Sequence, residues 1–174
     1  MYLFVSPATS IANSTDITYN NTACGLEATK LINGAARVSR VGTTPQAEIE
    51  ATIVTRKSDL LLQEWITDGT YESSTIVNVK NEELGTFYDI FLSGQGVRVP
   101  VKYDVLGNIV TTPVLTGLSS KSETSADTSC DFWSKHDGQY SLGSPSESGG
   151  KWLDVGESAS CSKSSRYYSV ASTP

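Results

Sequence analysis

Val97-Arg98-Val99-Pro100-Val101-Lys102-Tyr103-Asp104-Val105 alternates apolar and polar residues over nine positions. A period of two marks a strand with one buried face, because successive side chains point to opposite sides. The pattern predicts that Val97, Val99, Val101, Tyr103 and Val105 share the buried side. Pro100 falls on the polar side and has no N–H to donate, which favours a sheet edge. Gly107-Asn108 follows, then Ile109-Val110-Thr111-Thr112. Two extended runs about such a pair predict a hairpin, with Val97–Val105 antiparallel to Ile109–Val114.

The same alternation recurs upstream, where Ala47, Ile49, Ala51 and Ile53 face away from Glu48, Glu50 and Thr52. Residues 59–66 are denser in apolar side chains and read as a central strand or a short helix. Thr75–Lys80 and Thr86–Ser93 add short β-branched or aromatic segments, punctuated by Asp68-Gly69, Asn81 and Ser93-Gly94-Gln95-Gly96. Residues 22–41 admit two readings. Leu26, Leu31, Ile32, Ala35 and Val38 fit one helical face with Thr22 as its cap, or Asn33-Gly34 turns a hairpin. The hairpin is preferred, since Asn-Gly tolerates positive φ and an interior Gly costs a helix about 1 kcal/mol. The expected fold class is therefore mainly β, an antiparallel β-sandwich or barrel with a Ser-rich, loop-rich C-terminal extension.

Serine marks the boundary of that extension: 8 Ser fall in residues 1–117 and 17 in residues 118–174. Yet Phe132, Trp133, Tyr140, Trp152, Tyr167 and Tyr168 also lie there, and a flexible linker would lack them. Three parts are expected: an N-terminal arm at 1–14, a β-sheet domain at 15–117, and an aromatic-anchored extension at 118–174. Tyr2-Leu3-Phe4-Val5 is apolar for a terminus. It lacks the basic n-region and long apolar run of a full secretory signal, although Ser10-Ile11-Ala12 resembles a cleavage site. As mature sequence it should pack as a strand, on its own sheet edge or on a neighbouring subunit.

Of Cys24, Cys130 and Cys161, the last two flank the Ser- and Gly-rich stretch and form the best disulfide pair. Closing that loop contributes about 3–4 kcal/mol in the chain-entropy model. Cys24 is left over, either buried or free for an intermolecular link. The sequons Asn13-Ser14-Thr15 and Asn20-Asn21-Thr22 matter only in a host that glycosylates.

Composition removes several functions. With 174 residues and a formal net charge of −6, the chain lacks the clustered Lys and Arg of a nucleic-acid binder. No apolar run approaches a spanning helix, so no membrane span is expected. His136 is the sole histidine; with Asp137, Ser134 and Ser141 it outlines a hydrolase constellation, but no Gly-x-Ser-x-Gly elbow accompanies it. Asp127, Asp131, Asp137 and Asp154 offer hard oxygens for calcium without a known loop spacing. Glu82-Glu83 read as a solvated edge rather than a glycosidase pair. Arg37 and Arg40 with Arg56-Lys57 read as scattered charges or a small basic patch. No cofactor, metal or catalytic residue is expected.

The reading is a non-enzymatic structural subunit of an extracellular or virion surface assembly (a fibre, pilus or phage surface protein), whose partners are copies of itself or other subunits. The alternative is a secreted binding module or adhesin. It would recognise a glycan or protein receptor through an aromatic loop carrying Trp133, Tyr140 and Trp152, side chains that equally suit a small core beneath the loop.

Overall fold

The computed structural model describes residues 1–6, 10–11, 37–41, 71–121, 125–133 and 135–172. Its centre is Tyr2–Val5, β1, in which Leu3, Phe4 and Val5 are completely buried. Large apolar side chains stabilise by roughly 1.5–3 kcal/mol each when removed from water, and here three consecutive ones are removed on both sides of a strand. Tyr2–Val5 is thus not a sheet edge. It lies in the middle of its own sheet.

The remaining strands are β2 (Ser10–Ile11), β3 (Arg37–Arg40), β4 (Thr75–Val77), β5 (Glu83–Thr86), β6 (Val114–Leu115), β7 (Gln139–Gly143), β8 (Ser158–Ser160), β9 (Ser164–Ser165) and β10 (Tyr168–Ser172). A five-stranded sheet runs β3-β10-β1-β4-β5, a three-stranded sheet runs β6-β7-β8, and β2 pairs with β9. β1 is antiparallel to β10, with Leu3 opposite Val170, and parallel to β4 at the single pair Tyr2–Val77. The architecture is mainly β and sandwich-like. Among the described residues no sheet closes into a barrel.

Both faces of the central strands carry a core, as their alternation requires. Leu3, Val5, Tyr168 and Val170 join Ile76, Leu84, Phe87, Ile90, Phe91, Trp152 and Leu153 on one face. Phe4, Tyr167 and Ala171 join Leu115, Tyr140, Cys130 and Cys161 on the other. Arm, body and extension therefore interleave. The Ser-rich boundary at 117–118 is compositional, because β10 from the extension sits between β1 and β3.

Three local expectations fail for identifiable reasons. The run Val97–Val105 is not a continuous strand: its ladder contacts are isolated bridges of Val97 to Gly149, Tyr103 to Ile109 and Asp104 to Val5. Val97, Val101 and Val105 are buried, but Val99 is 36% exposed and the polar Asp104 is buried. Lys102 breaks the period: its φ is 42°, and the Tyr103 N–H turns back to the Val101 carbonyl at 2.7 Å in a γ-turn. The hairpin survives as a short closure, with the Val110 N–H on the Lys102 carbonyl at 2.8 Å and the Asp104 N–H on the Asn108 carbonyl at 2.9 Å. Ile109–Val114 is likewise no strand partner, since β6 pairs with β7.

The segment Thr86–Ser93, expected as a strand, becomes a π-helical turn over Tyr88–Leu92. Thr86 and Asp89 act reciprocally, the Asp89 N–H donating to Thr86 Oγ1 at 3.1 Å and the Thr86 N–H to Asp89 Oδ2 at 3.4 Å. This is the logic of a capping box, and Phe87, Ile90 and Phe91 then fall on one buried face. The strand expected at 47–53, the strand or short helix expected at 59–66, and the Asn33-Gly34 hairpin lie outside the described residues.

Candidate functional site

Cys130 and Cys161 are joined in a disulfide with a Cα–Cα distance of 5.8 Å, which fits an oxidising environment. The bond closes a lobe built by β7, β8 and the short helical turn Cys130–Trp133. The chain enters that turn in an unusual way: Cys130 and Asp131 both lie in the left-handed region, at φ 54° and 53°. A non-glycine residue there is uncommon and is held by its surroundings. The holding contacts are visible. The Lys135 N–H reaches the Cys130 carbonyl at 3.1 Å, Lys135 Nζ pairs with Asp131 Oδ2 at 2.8 Å, and the Cys161 N–H meets the Gly138 carbonyl at 3.1 Å. Hydrogen bonding to Asp131, then its charge, raises the Lys135 pKa above the ordinary lysine value.

Beside the bond lies an open cleft of about 410 Å³ lined by Asp127, Cys130, Asp131, Lys135, Asp137 and Gln139 among others. Three of the proposed calcium carboxylates thus border one recess, while Asp154 is occupied in its own turn, accepting the Gly156 N–H at 2.8 Å. No group of three His, Cys, Asp or Glu among the described residues is placed to hold a metal ion. His136 is exposed in the turn before β7, whereas Ser141 is buried inside it, so the hydrolase constellation is not assembled by these two; Ser134 lies outside the described residues.

The aromatic-loop expectation needs correction. Tyr140 is 1% exposed and Trp152 0% exposed, so neither presents a face to a receptor. Tyr140 packs with the disulfide, and its hydroxyl reaches the Lys163 carbonyl at 3.3 Å. Trp152 goes further, into the main core, with ring centroids 5.9 Å from Phe91 and 4.9 Å from Tyr168. The Tyr168 hydroxyl donates to the Trp152 carbonyl at 2.9 Å, and burial raises the Tyr168 pKa well above its ordinary value. Trp133 ends the helical turn; its side chain, like Cys24, both sequons and the Arg56-Lys57 pair, lies outside what the structure describes.

Glu82 and Glu83 take structural partners. Asn78 Nδ2 donates to Glu82 at 2.6 Å, and Arg98 pairs with Glu83 at 2.8 Å and with Asp89 at 3.1 Å. A second surface feature was not singled out from the sequence: Leu106 and Ile109 stand 65% and 68% exposed on the turn after Asp104. The readable clue was Asp104 before Gly107-Asn108, since an Asp at the start of a turn ties the following N–H groups and fixes what the turn displays.

No known protein-family model matches the chain, and no curated protein is similar to it. Among the described residues, no helix is long and apolar enough to cross a membrane.

Proposed function

We propose that this chain is a non-enzymatic structural subunit of an extracellular or virion-surface assembly, of the fibre, pilus or phage-surface kind. The observation that carries the reading is the covalent closure of a Ser- and Gly-rich lobe, whose two cysteines pack with Phe4 and Ala171 of the main sheet. A lobe with so few large apolar side chains gains little from burial, and the bond offsets that deficit by about 3–4 kcal/mol. The solution suits a part that must persist in an oxidising exterior. A charged content of 18% supports it too, because charges are depleted at the cores of protein contacts. Partners on this reading are further copies of the chain or other subunits. The adhesin alternative is disfavoured by the burial of Tyr140 and Trp152.

The test is size-exclusion chromatography with light scattering on the full, non-reduced chain over a wide concentration range. A subunit gives masses that are multiples of the single chain and grow with concentration. A chain that remains monomeric throughout overturns the self-assembling reading.

A further inference from the structure

The turn at 104–109 carries a surface that the assembly reading does not use. Leu106 and Ile109, at 65% and 68% exposed, are the most exposed large apolar side chains among the described residues. They are displayed on a braced scaffold. The Asp104 carboxylate accepts the N–H of Leu106 at 3.0 Å, the N–H of Asn108 at 2.9 Å and Asn108 Nδ2 at 3.1 Å. Tyr103, bridged to Ile109, has Lys80 Nζ 5.7 Å and Lys102 Nζ 5.3 Å from its ring centroid. Lys80 also reaches over the turn, since a Cβ placed on Gly107 would lie 3.0 Å from its Nζ. Two aliphatic side chains and two ammonium groups therefore gather at one tip.

We propose that this tip docks on an anionic bilayer, with Leu106 and Ile109 entering the acyl boundary and Lys80 and Lys102 meeting lipid phosphates. Two apolar side chains beside two lysines match the layered chemistry of a lipid–water interface. A protein partner fits less well: a stable protein contact needs roughly 800 Å² on each side, and two side chains on a narrow turn fall far short of it. A bilayer requires no matching pocket. Of the acidic groups nearby, two are already engaged by arginines. Asp104 is buried and 3.7 Å from Arg166, and Glu83 is paired with Arg98; Glu82 accepts from the neutral Asn78 amide and keeps its charge.

Co-sedimentation of the full chain with phosphatidylcholine–phosphatidylglycerol vesicles, against phosphatidylcholine alone, tests the proposal. The anionic vesicles should bind it. Leu106→Asp and Ile109→Asp should each weaken binding about tenfold or more, and Lys80→Glu with Lys102→Glu about fivefold or more. In Leu106→Trp the added indole fluorescence should shift to the blue on binding. Because Leu106 and Ile109 project from the fold, an unchanged thermal transition verifies each variant. Absence of binding to anionic vesicles overturns the proposal, as does undiminished binding by the two Asp variants. If those variants instead lower the mass seen by light scattering and leave vesicle binding unchanged, the tip is a subunit contact and the bilayer proposal fails.

Discussion

The two faces of β1 are held by different means. On the face of Leu3 and Val5, a run of aromatic contacts links Tyr71, Phe87, Phe91, Trp152 and Tyr168, with successive ring centroids 6.4, 4.9, 5.9 and 4.9 Å apart. On the face of Phe4, a smaller set gathers around Tyr140, Tyr167 and the Cys130–Cys161 bond. The first face draws large side chains from the arm, the body and the extension, so burial alone can hold it. The second is covered by Ser-rich strands such as Ser158–Ser160 and Ser164–Ser165, which bring little apolar area, and a covalent link takes its place. The contrast teaches that the extension serves both cores: it supplies Trp152 to one and a disulfide to the other.

Breaking the first face should have the largest effect. Trp152→Ala removes the aromatic centre of the larger core and should lower stability by about 3–5 kcal/mol, read from the urea midpoint at unchanged m-value. Trp152→Phe should lose much less. Trp152 Nε1 is buried with no hydrogen-bond partner, so removing it strands no acceptor. A Phe variant as damaging as the Ala variant would show that the indole nitrogen itself stabilises the core. Next in size is Cys130→Ser with Cys161→Ser, which opens a loop of sequence separation 31. It should lose about 3–4 kcal/mol in the chain-entropy model. Amide exchange should then rise first in Gln139–Gly143 and Ser158–Ser160, and later in β1 and β10. Simultaneous loss of protection in all four strands would mean that the two faces form one cooperative unit.

The same contrast decides what was legible in the sequence. The disulfide was readable, because two cysteines flanked a stretch that could not order itself by burial. The mainly β class was readable from alternation in short segments. The arm's need to be covered was readable from Tyr2-Leu3-Phe4-Val5, but its place was not, since strand order is set by partners distant in sequence such as Val170 and Val77. The period at Val97–Val105 misled because backbone geometry at Lys102 overrode it. At Thr86-Phe87-Tyr88-Asp89 the reverse happened: a reciprocal cap was present, but the β-branched and aromatic content spoke for a strand. For the candidate site, Trp152 and Tyr140 suited either a receptor surface or a small core, and burial decides for the core. Aromatic residues among serines look alike whether they face a ligand or a core.

A third, smaller effect should come from the exposed turn that bridges the faces. Asp104→Ala removes the acceptor of the Leu106 and Asn108 N–H groups and the partner of Arg166. About 1–3 kcal/mol should be lost, the range for deleting a buried charged acceptor. Exchange at the Leu106 and Asn108 amides should accelerate while Tyr168–Ser172 stays protected. If β10 exchanges faster as well, the turn is a structural part of the sheet rather than a display loop beside it.

The smallest effect sits at the edge of the larger core and is visible through pH. Hydrogen bonds from Thr86, first from its side chain and then its backbone, outweigh a desolvation that raises it, and with the charge and hydrogen bond of Arg98 they hold the Asp89 pKa below the ordinary aspartate value. A depressed carboxylate pKa favours the folded state once the unfolded carboxylate has ionised, above about pH 3.9. That contribution is fully present from there upward, and it disappears as pH falls through the lower folded value. Acid titration of stability should therefore be steeper in the native chain than in Asp89→Asn, which has no proton to take up at this position. Arg98→Ala should show a part of the same flattening, since it removes the ionic contribution and leaves the Thr86 bonds. Near neutral pH Asp89→Asn should be less stable than the native chain, since it lacks the carboxylate charge, and the two should converge as pH falls through the folded value. Parallel acid profiles for the native chain and Asp89→Asn would show that the cap does not steady the π-helical turn electrostatically. Phe87, Ile90 and Phe91 would then hold that turn by burial alone, as the rest of the larger core is held.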